Sequence, residues 1–261
     1  MTTAIGYAPT TSTAAATGPS LGRLTGVELR KMADTRSGRW LLAVTALISA
    51  ALVTIMLFVA EPRDLTLAGL FEPTLLPSGV LLPVLGILAV TSEWTQRTAL
   101  TTFVLVPDRR RIAAAKLVAA VLLAAGSIGA GLGFAALGNI VGMVAADGAG
   151  NWRLNWAMLG AALLVQTINV VMGVAFGMLL MNSATAIVLY FLLPTVWGVL
   201  GEMIRALATP AGWLDLTVTT TALIENEMTS EGWAKLGVSV AVWVLLPLTA
   251  GLVRLLRREV V

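Results

Sequence analysis

Six apolar runs divide this chain, with polar, charged or turn-forming residues between them. The first covers 40–60 without a charged side chain. At about 1.5 Å per helical residue it is long enough to cross roughly 30 Å of hydrocarbon. The second, 73–91, contains Pro77 and Pro83, which predicts a bent or irregular entry. The third, 112–146, is longer than a bilayer requires, so its Lys116 end is expected to project beyond the membrane. The fourth, 156–181, and the fifth, 184–208, are separated only by Asn182-Ser183 and predict an antiparallel helical hairpin. The sixth is 233–256.

Ahead of the runs, residues 1–20 are rich in Thr and Ala and carry no charged side chain. They lack the basic start and apolar core of a secretion signal and predict a disordered tail. From Leu21 the pattern changes: Leu21, Leu24, Val27 and Met32 recur at near-helical spacing among Arg23, Glu28, Arg30, Lys31 and Asp34. Glu28 with Lys31, and Arg30 with Asp34, are spaced for helix-surface ion pairs. Residues 21–39 therefore predict an amphipathic helix lying on the membrane surface; a soluble helix leading into the first run is the plainer alternative. Residues 201–234 are long for a loop yet keep Leu and Trp. They predict short surface helices partly dipping into the membrane, with a plain surface loop as the alternative. A short tail, 257–261, closes the chain.

Charge orients these elements. The connection 92–116, SEWTQRTALTTFVLVPDRRRIAAAK, carries Arg97, Arg109, Arg110, Arg111 and Lys116. A positive cluster in a short connection between spans stays on the cytoplasmic side. Arg23, Arg30, Lys31, Arg36 and Arg39 precede the first run, and Arg254, Arg257 and Arg258 follow the last. That side thus holds thirteen of the seventeen basic residues, against Arg63, Arg153, Arg205 and Lys235 on the other. Both termini are expected in the cytoplasm. Trp40, Trp94, Trp152, Trp156, Trp213 and Trp233 fall near predicted interfaces, as an aromatic belt would; Trp197 and Trp243 are expected to pack inside.

Composition agrees. The chain is 57% hydrophobic and 12% charged with a mean hydropathy of +0.89, where a soluble domain carries about 25% charged residues. With no cysteine and no histidine, disulfides and the usual zinc, haem and iron–sulfur sites are excluded. A net charge of +3 is accounted for by basic connections and does not call for nucleic acid.

Small and polar residues inside the runs are the next candidates. Gly129 with Gly133, Gly138 with Gly142, and Gly173 with Gly177 form small-xxx-small pairs, which let helix backbones approach closely in lipid. Gly131, Gly133 and Ala136 also fit a dinucleotide-binding pattern, but inside a long apolar helix it lacks the strand it requires. Gln166 and Asn169 share a helix face, and Asn139 lies in the third run. Each serves either an interhelical hydrogen bond or a substrate path. Glu202, three residues before Arg205, serves either a local ion pair or a substrate contact.

Catalytic motifs are missing. The three lysines follow Arg30, Ala115 and Ala234, so no Gly-Lys-Ser/Thr phosphate loop exists. Histidine-based sites are ruled out, and no run holds an acidic pair placed as a protease dyad. No catalytic or metal site is expected, and any ATP-driven step needs a separate polypeptide.

The 92–116 stretch carries a resemblance. An acidic residue closing a span, an aromatic, a Thr-rich amphipathic stretch, Pro-x-Arg and a Lys opening the next span are Glu93, Trp94, Thr98, Thr101, Pro107, Arg109 and Lys116. This is similar to the first cytoplasmic connection of ABC-2-type transporter permeases, although Arg97 stands where such proteins often have Gly. The six-run plan fits that family over 21–258. The resemblance implies an all-α integral membrane protein of ABC-2-type permease architecture: six transmembrane helices, an interfacial helix at 21–39 and two extracellular helices within 201–234. It implies that 92–116 is the coupling helix touching an ATP-binding cassette subunit, with Glu93, Trp94, Arg109, Arg110 and Arg111 as coupling candidates. ATP and magnesium would sit on that subunit, with no cofactor bound by this chain. A second permease copy or a homologous permease would complete the dimer, in a bacterial cytoplasmic membrane, and export is the expected direction. For the arginine triplet, topology and anionic-lipid anchoring are the competing role. Two other classes stay open. An ion-coupled transporter or channel usually places ionisable groups near mid-membrane, which these runs lack. A membrane enzyme or assembly factor would need a polar cluster that the runs do not contain.

Overall fold

Polar side chains cut the chain into helices by capping them. In the computed structural model, which describes residues 19–96, 108–145, 148, 150–225 and 227–257, the Ser20 hydroxyl accepts the Arg23 N–H and opens α1 (Leu21–Asp34). Thr35 is extended and its hydroxyl accepts the Gly38 N–H, so α2 (Arg36–Val59) starts one residue after α1 stops. The first long helix therefore begins ahead of its apolar run.

The irregular entry expected from the prolines lies at Pro73. A helix α3 (Leu67–Phe71) passes through a 3-10 turn at Glu72–Thr74 into α4 (Leu75–Thr95). Pro77 falls in the first turn of α4, where its missing N–H costs little, and Pro83 lies inside the helix. The next helix, α5, covers Arg109–Ala145. Asn155 caps α6 (Trp156–Leu180) by accepting the Ala157 N–H.

Met181, in the left-handed conformation at φ 52°, ends α6, and Asn182 accepts the Thr185 N–H to open α7 (Ser183–Met203). The hairpin turn is thus Met181-Asn182, with Ser183 already helical. After a 3-10 turn at Arg205–Leu207 come α8 (Ala208–Leu214) and α9 (Leu216–Ile224), the latter capped by Asp215. Thr229 caps α10 (Ser230–Val240), which continues through a π-helical turn at Ala241–Leu245 into α11 (Leu246–Arg257). The π-turn has a local cause: Pro247 has no N–H for the Trp243 carbonyl, and the ladder slips so that Leu246 reaches Ala241.

No strand occurs among the described residues. Six helical stretches are long and apolar enough to cross a membrane: Arg36–Val59, Leu67–Thr95, Arg109–Ala145, Trp156–Leu180, Ser183–Met203 and Ser230–Arg257. The chain is a multi-pass helical membrane protein.

At its centre is α6, flanked by α4, α5 and α11. Glycine allows the closest of these approaches. A Cβ on Gly86 would lie 2.8 Å from the Val170 carbonyl oxygen, and one on Gly177 would lie 3.1 Å from that of Ile87. One on Gly173 would run into the Pro83 carbonyl. On α5, Gly138 meets Val53 and Gly142 meets Leu57, both of α2. Gly129 and Gly133 differ: nothing lies within 4 Å of a Cβ on either. Neither is a site of close helix packing among the described residues.

The bundle has two unlike ends. At one, α1 meets the end of α4 and the start of α5, while Arg254 donates to the Leu179 carbonyl beside the α6–α7 turn. At the other are α3, bonded from Leu67 N–H to the Asn151 carbonyl, and the short helices α8 and α9.

Candidate functional site

Two of the places where the bundle holds polar side chains away from water contain Glu93 and Gln166. The first is the junction of α1, α4 and α5. Thr25, Glu28 and Met32 form the buried face of α1, so a carboxylate points into the protein. It meets Lys116 of α5, which is 3% exposed, and Glu93 of α4 is close by. The Lys116 ammonium donates to Glu28 Oε2 at 2.6 Å, Glu93 Oε1 at 3.0 Å and the Ala89 carbonyl at 2.8 Å, which satisfies its three hydrogens. Lys31 donates to Glu28 Oε1 at 2.9 Å and Glu93 Oε1 at 2.8 Å. Two carboxylates and two ammonium groups thus form a neutral ring tying three elements together. Burial works against the Lys31 charge, but the Glu93 and Glu28 carboxylates outweigh it and hold its pKa above the ordinary lysine value. A groove of about 360 Å³ opens beside the ring, lined by Lys31, Thr35, Ser92, Glu93 and Gln96 among others.

The basic triplet divides three ways. Arg109 donates to the Leu255 carbonyl at 2.9 Å and ties α5 to the end of α11. Arg111 donates to the Pro19 carbonyl at 2.8 Å and holds the chain entering α1. Arg110 is exposed, with its backbone N–H taken by Asp108 at 3.0 Å. Trp94 is half-buried and packs on the apolar cluster that includes Ala113 and Leu255. Arg97, Thr98, Thr101 and Pro107 lie outside the described residues, as do most of the tails 1–20 and 257–261.

The second place is a cavity of about 380 Å³ between α4, α6, α7 and α9. Gln166 and Asn169 both line it. Gln166 is 2% exposed and donates to the Leu75 carbonyl at 3.0 Å and to Ser78 Oγ at 2.8 Å, while its Oε1 has no partner among the described residues. Asn139 and Glu202 are elsewhere. Asn139 is fully buried in α5, and neither polar atom of its amide has a hydrogen-bond partner among the described residues. Glu202 is exposed at the end of α7.

Searches against protein-family models and against curated proteins found no match to the chain.

Reading the residues in sequence pointed to Glu93, Gln166 and Asn169, and treated Lys116 as the opening of a span. It did not single out Glu28 or Lys116 as Glu93's partners. The signal available was Glu28 itself, a carboxylate sharing a helix face with Thr25 and Met32 rather than with the polar residues of α1. A lone lysine inside an otherwise apolar run was the matching half.

Proposed function

We propose that this chain is the membrane-spanning subunit of an ATP-driven transporter, an exporter of the ABC-2 type, and that the α1 end faces the cytoplasm. The observation that supports this most is the ring of Glu28, Lys31, Glu93 and Lys116. It stands where the connection 97–107 leaves α4 and returns to α5, and it locks both helix ends to α1. A push on that connection by a partner would then move three elements as one body instead of bending a single helix end. The charge distribution agrees with this orientation: eleven of the fifteen described basic residues are at the ring end, while Glu61, Asp64, Glu72, Asp215 and Glu225 are at the other. In this reading Arg110, exposed beside two tethered arginines, is the residue of the triplet offered to the partner, and the ATPase activity belongs to that partner.

The test uses the absence of native cysteine. A cysteine at position 110 should be labelled by an impermeant reagent only from the cytoplasmic side. It should also cross-link to an ATP-binding polypeptide in the native membrane, and the purified complex should hydrolyse ATP. External labelling would overturn the orientation. Cytoplasmic labelling with no ATP-binding partner and no ATPase activity would overturn the transporter reading.

A further inference from the structure

The cavity between α4, α6, α7 and α9 has a polar end that the fold leaves unfinished. The Gln166 amide nitrogen donates to the Leu75 carbonyl and to Ser78 Oγ, and this fixes the side chain with its buried Oε1 unpaired among the described residues. That oxygen is enclosed behind the wall, so the Gln166 amide shapes the polar end and does not itself face the cavity. Asn169 lines the same wall with an amide that can both give and take. Gly79 opens the space between them. A Cβ there would lie 3.8 Å from Asn169 Nδ2 and 3.9 Å from both polar atoms of the Gln166 amide.

Two prolines remove helix donors beside the cavity. Pro83 has no N–H for the Gly79 carbonyl, and Pro194 has none for the Tyr190 carbonyl; Gly79 and Tyr190 both line the cavity. Among the described residues no acidic or basic side chain lines it, and the rest of the wall is chiefly apolar. A charged ligand would be left without a counter-charge in a low-dielectric site. A cavity of about 150 Å³ takes benzene, so about 380 Å³ takes a molecule of roughly fifteen non-hydrogen atoms.

We infer that this cavity binds an uncharged amphiphile whose head group, a hydroxyl or amide, exchanges hydrogen bonds with the Asn169 amide at the polar end shaped by Gln166 and Gly79. Its apolar body lies along the α4–α7 wall. Binding stands independently of the transporter assignment; that the bound molecule is also the cargo rests on that reading.

The full chain in phosphatidylcholine nanodiscs is photolabelled with a fourteen-carbon primary alcohol carrying a diazirine, and the labelled peptides are mapped by mass spectrometry. Labelling should saturate and concentrate on 75–80, 162–172 and 190–195. 1-Tetradecanol should displace the label at a concentration at least tenfold lower than tetradecyl methyl ether or tetradecanoate. Gly79→Leu, which fills the polar end, should cut labelling at least tenfold. Gly79→Ala, whose Cβ meets its neighbours at ordinary contact distance, should keep the wild-type melting temperature and weaken labelling several-fold. A neutral glyceride co-purifying at one per chain names a membrane lipid as the occupant, and saturable labelling without one names a solute. Label spread over the lipid-facing side chains of α2 and α7, equal displacement by alcohol and ether, or labelling indifferent to both Gly79 variants would overturn the inference. No ATPase takes part in this experiment, so loss of the transporter reading leaves its outcome intact.

Discussion

Replacing Lys116 with Met should be among the most damaging single changes in the chain. The ring of Glu28, Lys31, Glu93 and Lys116 is neutral, and methionine removes one positive charge while roughly keeping the volume. Among the described residues Glu28 and Glu93 then keep Lys31 as their shared cation, with one positive charge fewer in a site where Lys116 was 3% exposed. Removing one partner from a buried ion pair costs about 3–5 kcal/mol, because the other charge stays behind unpaired. The lower end applies here, since Lys31 still reaches both carboxylates at 2.9 and 2.8 Å. Lys31→Met is the internal control. The Lys31 side chain is 39% exposed, so solvent screens the charge it leaves and the loss should stay near 1 kcal/mol. For a chain of this size about 1 kcal/mol moves the melting temperature by roughly 2–4 °C. The expected shifts are then roughly 6–12 °C for Lys116→Met and about 2–4 °C for Lys31→Met, read by thermal unfolding of the purified protein in detergent. Adding Glu93→Gln to Lys116→Met restores neutrality through the remaining Glu28–Lys31 pair, and the double variant should melt above Lys116→Met alone. Equal shifts for the two lysine variants, or a double variant no better than the single one, would refute the argument from buried net charge.

Gly173→Ala should lower the melting temperature by several degrees, since its Cβ would meet the backbone of Pro83 and overpacking costs about 1–3 kcal/mol. Gly133→Leu, with open space around it, should leave the melting of the isolated chain unchanged and alter only oligomeric state, measured by light scattering. The raised Lys31 pKa means that its contribution is complete below the ordinary lysine value of about 10.4 and disappears as pH climbs through the higher folded value. A spin label at position 26 on α1 should therefore keep its mobility from pH 7 to 10 and loosen only above that; loosening near neutral pH would contradict the assignment. On the transporter reading, Arg110→Lys should reduce substrate-stimulated ATP hydrolysis while leaving insertion and melting unchanged, because lysine keeps the charge but not the planar pairing with carboxylates. Full activity would leave Arg110 a topology or lipid anchor.

The helices were legible because the apolar runs are long and almost free of charge, and the six spans fall on them. Their ends were less so. The first long helix starts at Arg36 because Thr35 caps it, a side-chain event that hydropathy does not register. The fifth run continues in sequence to 208, yet α7 stops at Met203, where Ile204 leaves the helical conformation. Of the two tryptophans expected inside, Trp243 donates its indole N–H to the Leu214 carbonyl at 2.6 Å, while that of Trp197 is buried without a partner among the described residues. At the candidate sites, spacing along one helix placed Gln166 beside Asn169. No local spacing could bring Glu28 to Lys116, because that contact depends on how α1 folds back on the bundle. For the same reason the open cavity behind Gln166 could not be read from α6 alone: its other walls come from α4, α7 and α9.

One helix joins the two places. Glu93 lies near one end of α4 and Gly79 near the other, about 21 Å apart at 1.5 Å per residue. Between them Pro83 interrupts the hydrogen-bond ladder at the point where Gly173 lets α6 press against its carbonyl. A helix tied at one end by buried charge and lacking a backbone bond in its middle has a stiff handle and a compliant joint. If a partner pushes at the ring, displacement carried along α4 meets that joint one turn from Gly79, where the Gln166 and Asn169 amides stand. Two consequences separate this arrangement from simple packing. Pro83→Ala restores the missing N–H and should raise or preserve melting temperature, as a better helix former does. If α4 is the lever of the transporter proposed above, the same change should lower turnover by stiffening the joint. A variant equally stable and equally active would show that the proline merely accommodates the neighbouring glycine, and that the ring and the cavity work without mechanical connection through α4.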